Sequence, residues 1–221
     1  MGDIQSGEKK PAIWKITILC VVSGILNVTI SYFVNGVGNI PLYLDTLFTV
    51  AMCFSAGLLP GIFTAILLPV LTTFKYTYLL GLPVETAWWT YLFVLCVLFE
   101  VLLVFSFRKK IAPPDAAFRK APSFYAFISL APLLLVIVAL DCIVVSVTGG
   151  IIDYVITLLS SPKAFYPEDS FKLGLLRNNV PILASAILSR IPINIVDRFI
   201  VIFGGYGVSL LYRKWLNTPS Q

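Results

Sequence analysis

Apolar residues along the chain fall into blocks of about twenty, set apart by short turns or charged stretches, and a block of that length matches the ~30 Å hydrocarbon core of a bilayer. Six spans follow from the pattern. The first covers 13–35 and stops at the turn signal Asn35-Gly36-Val37-Gly38-Asn39. The second, 42–59, and the third, 61–80, are divided only by Pro60-Gly61. The fourth covers 85–107, the fifth 124–149 and the sixth 192–212. The predicted fold is all-α: one integral membrane domain over 1–221, a polytopic six-helix transmembrane bundle with an outward-facing pocket.

One stretch departs from this rhythm. Residues 150–191 follow Gly149-Gly150, carry Ser160-Ser161-Pro162 and Glu168-Asp169, and then turn apolar again at 180–188. A single helix over 171–216 would be about 69 Å long at ~1.5 Å per residue, roughly twice what a bilayer needs. Pro181 and Pro192 are therefore expected to break it. The stretch reads as an external or re-entrant segment over the outer face.

Composition narrows the class. Hydrophobic residues make up 58% and charged residues 12%, against about 45–50% and ~25% in soluble domains. Soluble enzymes, disordered tails and disulfide-stapled folds are excluded, and nothing points to nucleic acid. There is no His, which removes imidazole triads and His-based metal sites. Cys20, Cys53, Cys96 and Cys142 each lie inside an apolar run without CxxC spacing, as small packing residues do. The first block follows Lys9, Lys10 and Lys15 but is too long for a signal h-region and lacks a small-x-small cleavage site, so it is read as a retained span.

Charge sets the orientation. The basic loop 108–122 holds Arg108, Lys109, Lys110, Arg119 and Lys120 against Asp115. Six spans put it on the same side as Lys9, Lys10, Lys15, Arg213 and Lys214, so that ten of the 16 basic residues share one side. By the positive-inside rule that side is cytoplasmic in a cell-membrane protein, with both termini inside. Trp88, Trp89 and Tyr91 then fall at the outer aromatic belt.

Ionisable residues inside apolar spans are costly and mark function. Counting helix rise from the cytoplasmic ends puts Asp45, Lys75, Asp141, Arg190, Asp197 and Arg198 in one outer layer, three acids against three bases. Only Glu100 falls in the inner half, facing another helix or a partner. The expected substrate site is Asp45, Lys75, Trp88, Asp141, Asn194, Asp197 and Arg198, with Asp141 paired to Arg198. No nucleophile–base pair, Walker A motif or metal cluster is present, so no catalytic residue, metal or cofactor is assigned and the chain is read as not itself an enzyme. Gly204-Gly205-Tyr206-Gly207 reads as a close helix contact.

Two segments carry a family resemblance. Pro41-Leu42-Tyr43-Leu44-Asp45-Thr46 leads to Gly57-Leu58-Leu59-Pro60-Gly61, and Arg190-Ile191-Pro192-Ile193-Asn194-Ile195-Val196-Asp197-Arg198 runs on to Gly204-Gly205-Tyr206-Gly207. With six spans and a length near 220, the chain resembles the substrate-binding S component of an energy-coupling factor (ECF) transporter. The resemblance implies capture of a vitamin or similar micronutrient from outside. It also implies docking on a scaffold transmembrane subunit driven by two ATPase subunits, with membrane lipid around the bundle. The family's Ala-x-x-x-Ala docking signature is missing from the first span, and Cys20, Gly24, Ala51 and Ser55 are the small residues expected to serve instead. The competing classes are a ligand-binding membrane sensor acting through a partner, a small secondary transporter and a membrane-embedded enzyme.

The topology is testable by cysteine labelling after the native thiols are replaced. In intact cells, a reporter Cys at Ala116 is expected to be protected from impermeant reagent and one at Ser161 to react. Labelling of position 116 from outside would reverse the orientation.

Overall fold

The computed structural model describes residues 12–38, 40–79, 81, 89–111, 124–159 and 169–217. Among the described residues there are eight α-helices and no strand: α1 (Ile13–Ser31), α2 (Leu47–Ala56), α3 (Leu58–Phe74), α4 (Val94–Ile111), α5 (Phe124–Leu159), α6 (Asp169–Arg177), α7 (Ile182–Leu188) and α8 (Ile191–Leu216). π-Helical turns at Tyr32–Val37 and Lys75–Leu79 extend α1 and α3, and a 3-10 turn at Trp89–Phe93 leads into α4. Three helical segments, Ile13–Asn35, Tyr91–Ile111 and Ser129–Leu159, are long and apolar enough to cross a membrane. The chain is a helical membrane protein.

Its surface and interior are consistent with that environment. Ile18, Val21 and Ile25 on α1, Phe99 on α4, Ile143 on α5 and Phe199 on α8 are exposed, whereas Asn27, Thr49, Glu100, Asp141, Asp197 and Ser209 are fully buried. Exposed apolar surface on this scale suits lipid rather than water. The central helix is α2, buried from Val50 to Phe54 and packed on α8, α3, α1 and α4. Around it Val97, Val101, Leu134, Ile137, Val201 and Ile202 complete the main core.

Several boundaries differ from the sequence pattern. The break between the second and third spans falls at Gly57, whose φ of 107° is open to glycine and strained for other residues, and Pro60 sits in the first turn of α3, where a missing N–H is tolerated. The fifth helix does not stop at 149 but continues to Leu159. Gly149-Gly150 is a site of close approach within the helix: a Cβ on Gly150 would lie 2.7 Å from Ile187 Cα of α7, and one on Gly149 would lie 3.1 Å from Arg190 Nη1. α4 runs to Ile111, so Arg108, Lys109 and Lys110 occupy its last turn instead of opening the loop 108–122. Chain 171–216 is divided as the prolines suggest, with Pro181 preceding α7 and Pro192 in the first turn of α8.

Basic residues from three separate segments meet at one end of the bundle. Arg108 donates from Nε to Phe54 O at 3.2 Å and from Nη2 to Ser55 O at 3.1 Å, and Arg213 Nη2 donates to Phe54 O at 2.7 Å. The two guanidinium groups thereby satisfy carbonyls that the end of α2 leaves open. Lys15 Nζ lies 5.8 Å from the Trp14 ring and 5.6 Å from the Trp215 ring. Of the expected docking residues, Cys20 and Ala51 are buried, a Cβ on Gly24 would meet Leu71 of α3 at 3.0 Å, and Ser55 is half-buried. The small size of Cys20 and Gly24 serves packing of α1 against α3.

Gly204 and Gly205 make the close contact expected of them, against Leu47 and Val50 of α2. At Gly205 a Cβ would stand 2.8 Å from Val50 Cγ1 and 2.9 Å from Leu47 O, whereas at Gly207 it meets nothing within 4 Å. Gly205→Ala is expected to destabilise by about 1–3 kcal/mol through overpacking, and Gly207→Ala to be neutral or slightly stabilising. Thermal unfolding of both variants in the same detergent checks the contrast.

Candidate functional site

The buried polar residues converge on Arg198 in α8. Its Nη1 donates to Glu100 Oε1 at 2.7 Å and to Thr46 Oγ1 at 3.0 Å, and its Nε donates to Asp197 Oδ2 at 3.1 Å. Nη2 also donates to Asp197 Oδ2. Asp141 Oδ2 of α5 stands 3.8 Å from Nη1. Thr46 Oγ1 in turn donates to Glu100 Oε1 at 3.2 Å. One guanidinium therefore joins α4, α5, α8 and the residue that precedes α2, all out of contact with solvent. A guanidinium suits this role because its five donors are fixed in a planar fork and it stays charged when buried.

Asp197 also organises the loop before α2. Its Oδ1 accepts the backbone N–H groups of Tyr43 at 2.8 Å and Leu44 at 2.9 Å. Consecutive N–H groups aimed at one anion form a backbone nest, and Leu44 adopts the left-handed φ of 44° that is disfavoured for a residue with a Cβ. The carboxylate supplies the interaction that holds that conformation. Because Thr46 is engaged with Arg198 and Glu100, it does not cap α2 with its side chain. Asn27 of α1 takes over: its Oδ1 accepts the Phe48 N–H at 2.8 Å while its Nδ2 donates to Thr49 Oγ1 at 2.9 Å.

The expected site residues divide into three groups. Asp141, Asp197 and Arg198 come together, and the Asp141–Arg198 pair forms, although Glu100 is the closer partner. Asp45 is half-buried at the edge of the cluster, within electrostatic reach of Arg198, Asp197 and Lys75. Lys75, buried at the start of the π-helical turn after α3, feels Asp45 in return. Asn194 lies one helical turn from Arg198 and donates to Ser146 Oγ of α5 at 2.8 Å. Trp88 lies outside the described residues. Arg190 packs its guanidinium 5.4 Å from the Phe93 ring centre, the distance of a cation–π contact.

Three residues fell outside the expected site: Glu100, Thr46 and Ser146. Glu100 belongs to the cluster and not to an inner layer of its own. α4 ends at Ile111 instead of 107, which raises Glu100 by about 6 Å above the helix end. Thr46 and Ser146 are neutral and short, and nothing in a linear pattern separates them from other hydroxyl residues in apolar surroundings.

Comparison with protein-family models, with curated proteins and with solved structures finds no match to this chain. Among the described residues no three His, Cys, Asp or Glu side chains are arranged as metal ligands. The site is thus defined by its own chemistry: a cationic centre with three carboxylates and one hydroxyl, closed off from solvent, in the interior of a membrane protein.

Asp197→Asn tests the network. Either orientation of the amide brings N–H donors against donors, at the Tyr43 and Leu44 N–H groups or at Arg198. Breaking a buried charged pair from one side costs ~3–5 kcal/mol. The variant is expected to release the loop, seen as faster hydrogen exchange at the Tyr43 and Leu44 amides by mass spectrometry. Unchanged exchange there would show that Asp197 does not hold the loop.

Proposed function

We propose that the chain is the substrate-capture S component of an energy-coupling factor transporter. On this reading six spans cross the cell membrane with both termini cytoplasmic, and an outward-facing pocket takes up a vitamin or similar micronutrient. The loaded subunit then docks on a scaffold transmembrane subunit worked by two ATPase subunits.

The observation that carries the reading is the meeting of the two segments in which the resemblance resides. Residues 41–46 and 190–198 are far apart in sequence, yet Asp197 holds the Tyr43 and Leu44 N–H groups and Arg198 donates to Thr46. A loop between the first helices joined to the polar turn of the last one is the arrangement that substrate capture by those segments requires. Gathering of Lys15, Arg108 and Arg213 at one end supports the cytoplasmic assignment of that end. Asp45, Lys75 and Asn194, at the margin of the Arg198 cluster, are the polar anchors best placed to meet a ligand, with Trp88 as the aromatic wall. Asp141, Asp197 and Arg198 hold the frame behind them.

The test begins with mass spectrometry of small molecules that copurify with the detergent-solubilised chain. Asp45→Asn and Asn194→Ala are each expected to weaken binding of the identified compound tenfold or more, about 1.4 kcal/mol, in protein that still folds. Binding should need no ATP, and cells should accumulate the compound only when the partner subunits are present. Parent-like affinity in both variants would move the pocket elsewhere, and accumulation by the chain alone, abolished by an uncoupler, would make it a secondary transporter.

A further inference from the structure

The Arg198 cluster holds more acid than base. Glu100, Asp141 and Asp197 all approach the one guanidinium. Asp197 is fully occupied by Arg198 and the Tyr43 and Leu44 N–H groups. Glu100 Oε1 takes donors from Arg198 and Thr46. Beyond these, Glu100 Oε2 and both oxygens of Asp141 are buried with no hydrogen-bond donor among the described residues. The two carboxyl groups flank the same nitrogen: Arg198 Nη1 lies 2.7 Å from Glu100 Oε1 and 3.8 Å from Asp141 Oδ2.

An ionised carboxylate is only an acceptor, so two of them facing each other in a dry interior repel and leave their lone pairs unsatisfied. A single proton between them removes one charge and makes a donor where none exists. We propose that Glu100 and Asp141 form a carboxyl pair that binds one exchangeable proton, shared between their facing oxygens. The proton belongs to the pair and not to either residue. The other charges that bear on it are Arg198 and Asp197 on α8 and Asp45 in the loop before α2. Arg190 and the Cys96 and Cys142 thiols border the same cluster, and Lys75 bears on Asp45 from its other side. The pair draws one acid from α4 and one from α5, so the bound proton ties those helices together at the level where Arg198 ties both to α8.

Infrared spectroscopy of the full chain in lipid nanodiscs at neutral pH reads this directly, because a protonated carboxyl group has a carbonyl stretch that carboxylates lack. The parent is expected to show that band, shifted in D2O. Asp141→Asn and Glu100→Gln are each expected to abolish it, since the amide supplies the N–H donor and the remaining acid ionises beside Arg198. No band in the parent, or a band that persists in both variants, would overturn the assignment. A sodium titration at constant ionic strength, with choline as the replaced cation, supplies the other arm. Parent stability is expected not to respond, and sodium-specific stabilisation in protein without the band would make the pair a metal-cation site instead. The wild-type spectrum and the titration decide the matter even if a variant fails to fold.

Discussion

A charged guanidinium in the interior of a membrane protein is tolerable only if nearly all its donors are met, and Arg198 shows what that demands of the chain. Its partners come from α4, from α5, from its own helix and from the residue that precedes α2. Each must be held within hydrogen-bond or ion-pair distance, so four parts of the chain are fixed relative to one another by one side chain. The energy of such a cluster is not the sum of its pairs, because in a low-dielectric interior each unmet group is penalised heavily. The neighbouring contacts follow from this placement. Thr46 is drawn to Arg198 and Glu100, so the first turn of α2 takes its cap from Asn27 of α1 instead. The polar contacts around the start of α2 therefore bring in α1, α4, α5 and α8.

Much of this architecture was legible in the linear pattern, and the failures share a physical cause. Apolar blocks announced the helices, and ionisable residues within them announced Asp141, Asp197 and Arg198, because charge is rare where lipid surrounds the chain. Helix ends were less legible. A stretch such as Gly149-Gly150 has the composition of a turn, but its missing side chains serve α7, which crosses α5 at that point; that contact is long-range and leaves no local trace. Arg108 to Lys110 look like the start of a loop because they are basic, yet basic residues also suit the last turn of a helix, where they face its open carbonyls. That error moved Glu100 to the wrong depth and hid it from the cluster. Cys20 and Gly24 likewise looked like a surface for a partner, when their size answers the approach of α3.

The two ends of the bundle use arginine in different ways. At the basic end Arg108 and Arg213 bind the final carbonyls of α2, a neutral and partly exposed target that needs no carboxylate. Deeper in the fold Arg198 has no such latitude and is matched by acids. Both arrangements act on α2, one through the carbonyls at its end and the other through Thr46 at its start. A helix of ten residues, about 15 Å long at ~1.5 Å per residue, is in this way anchored at each terminus by side chains from longer helices around it.

The loop before α2 is the part of this system with the least independent support. Leu44 is left-handed without the freedom of glycine, and its N–H is held by Asp197 rather than by a neighbouring turn of helix. A conformation of this kind costs on the order of 1–3 kcal/mol and persists where surrounding structure over-determines it. The same carboxylate that holds the loop is bound to Arg198, so any movement of 41–46 away from α8 leaves Asp197 short of donors and alters the charge balance around Glu100 and Asp141. On the proposed reading, a ligand that engages Asp45 or Asn194 acts at the margin of this balance. Its effect on the loop then passes through Asp197, which holds the Tyr43 and Leu44 N–H groups on one side and Arg198 on the other.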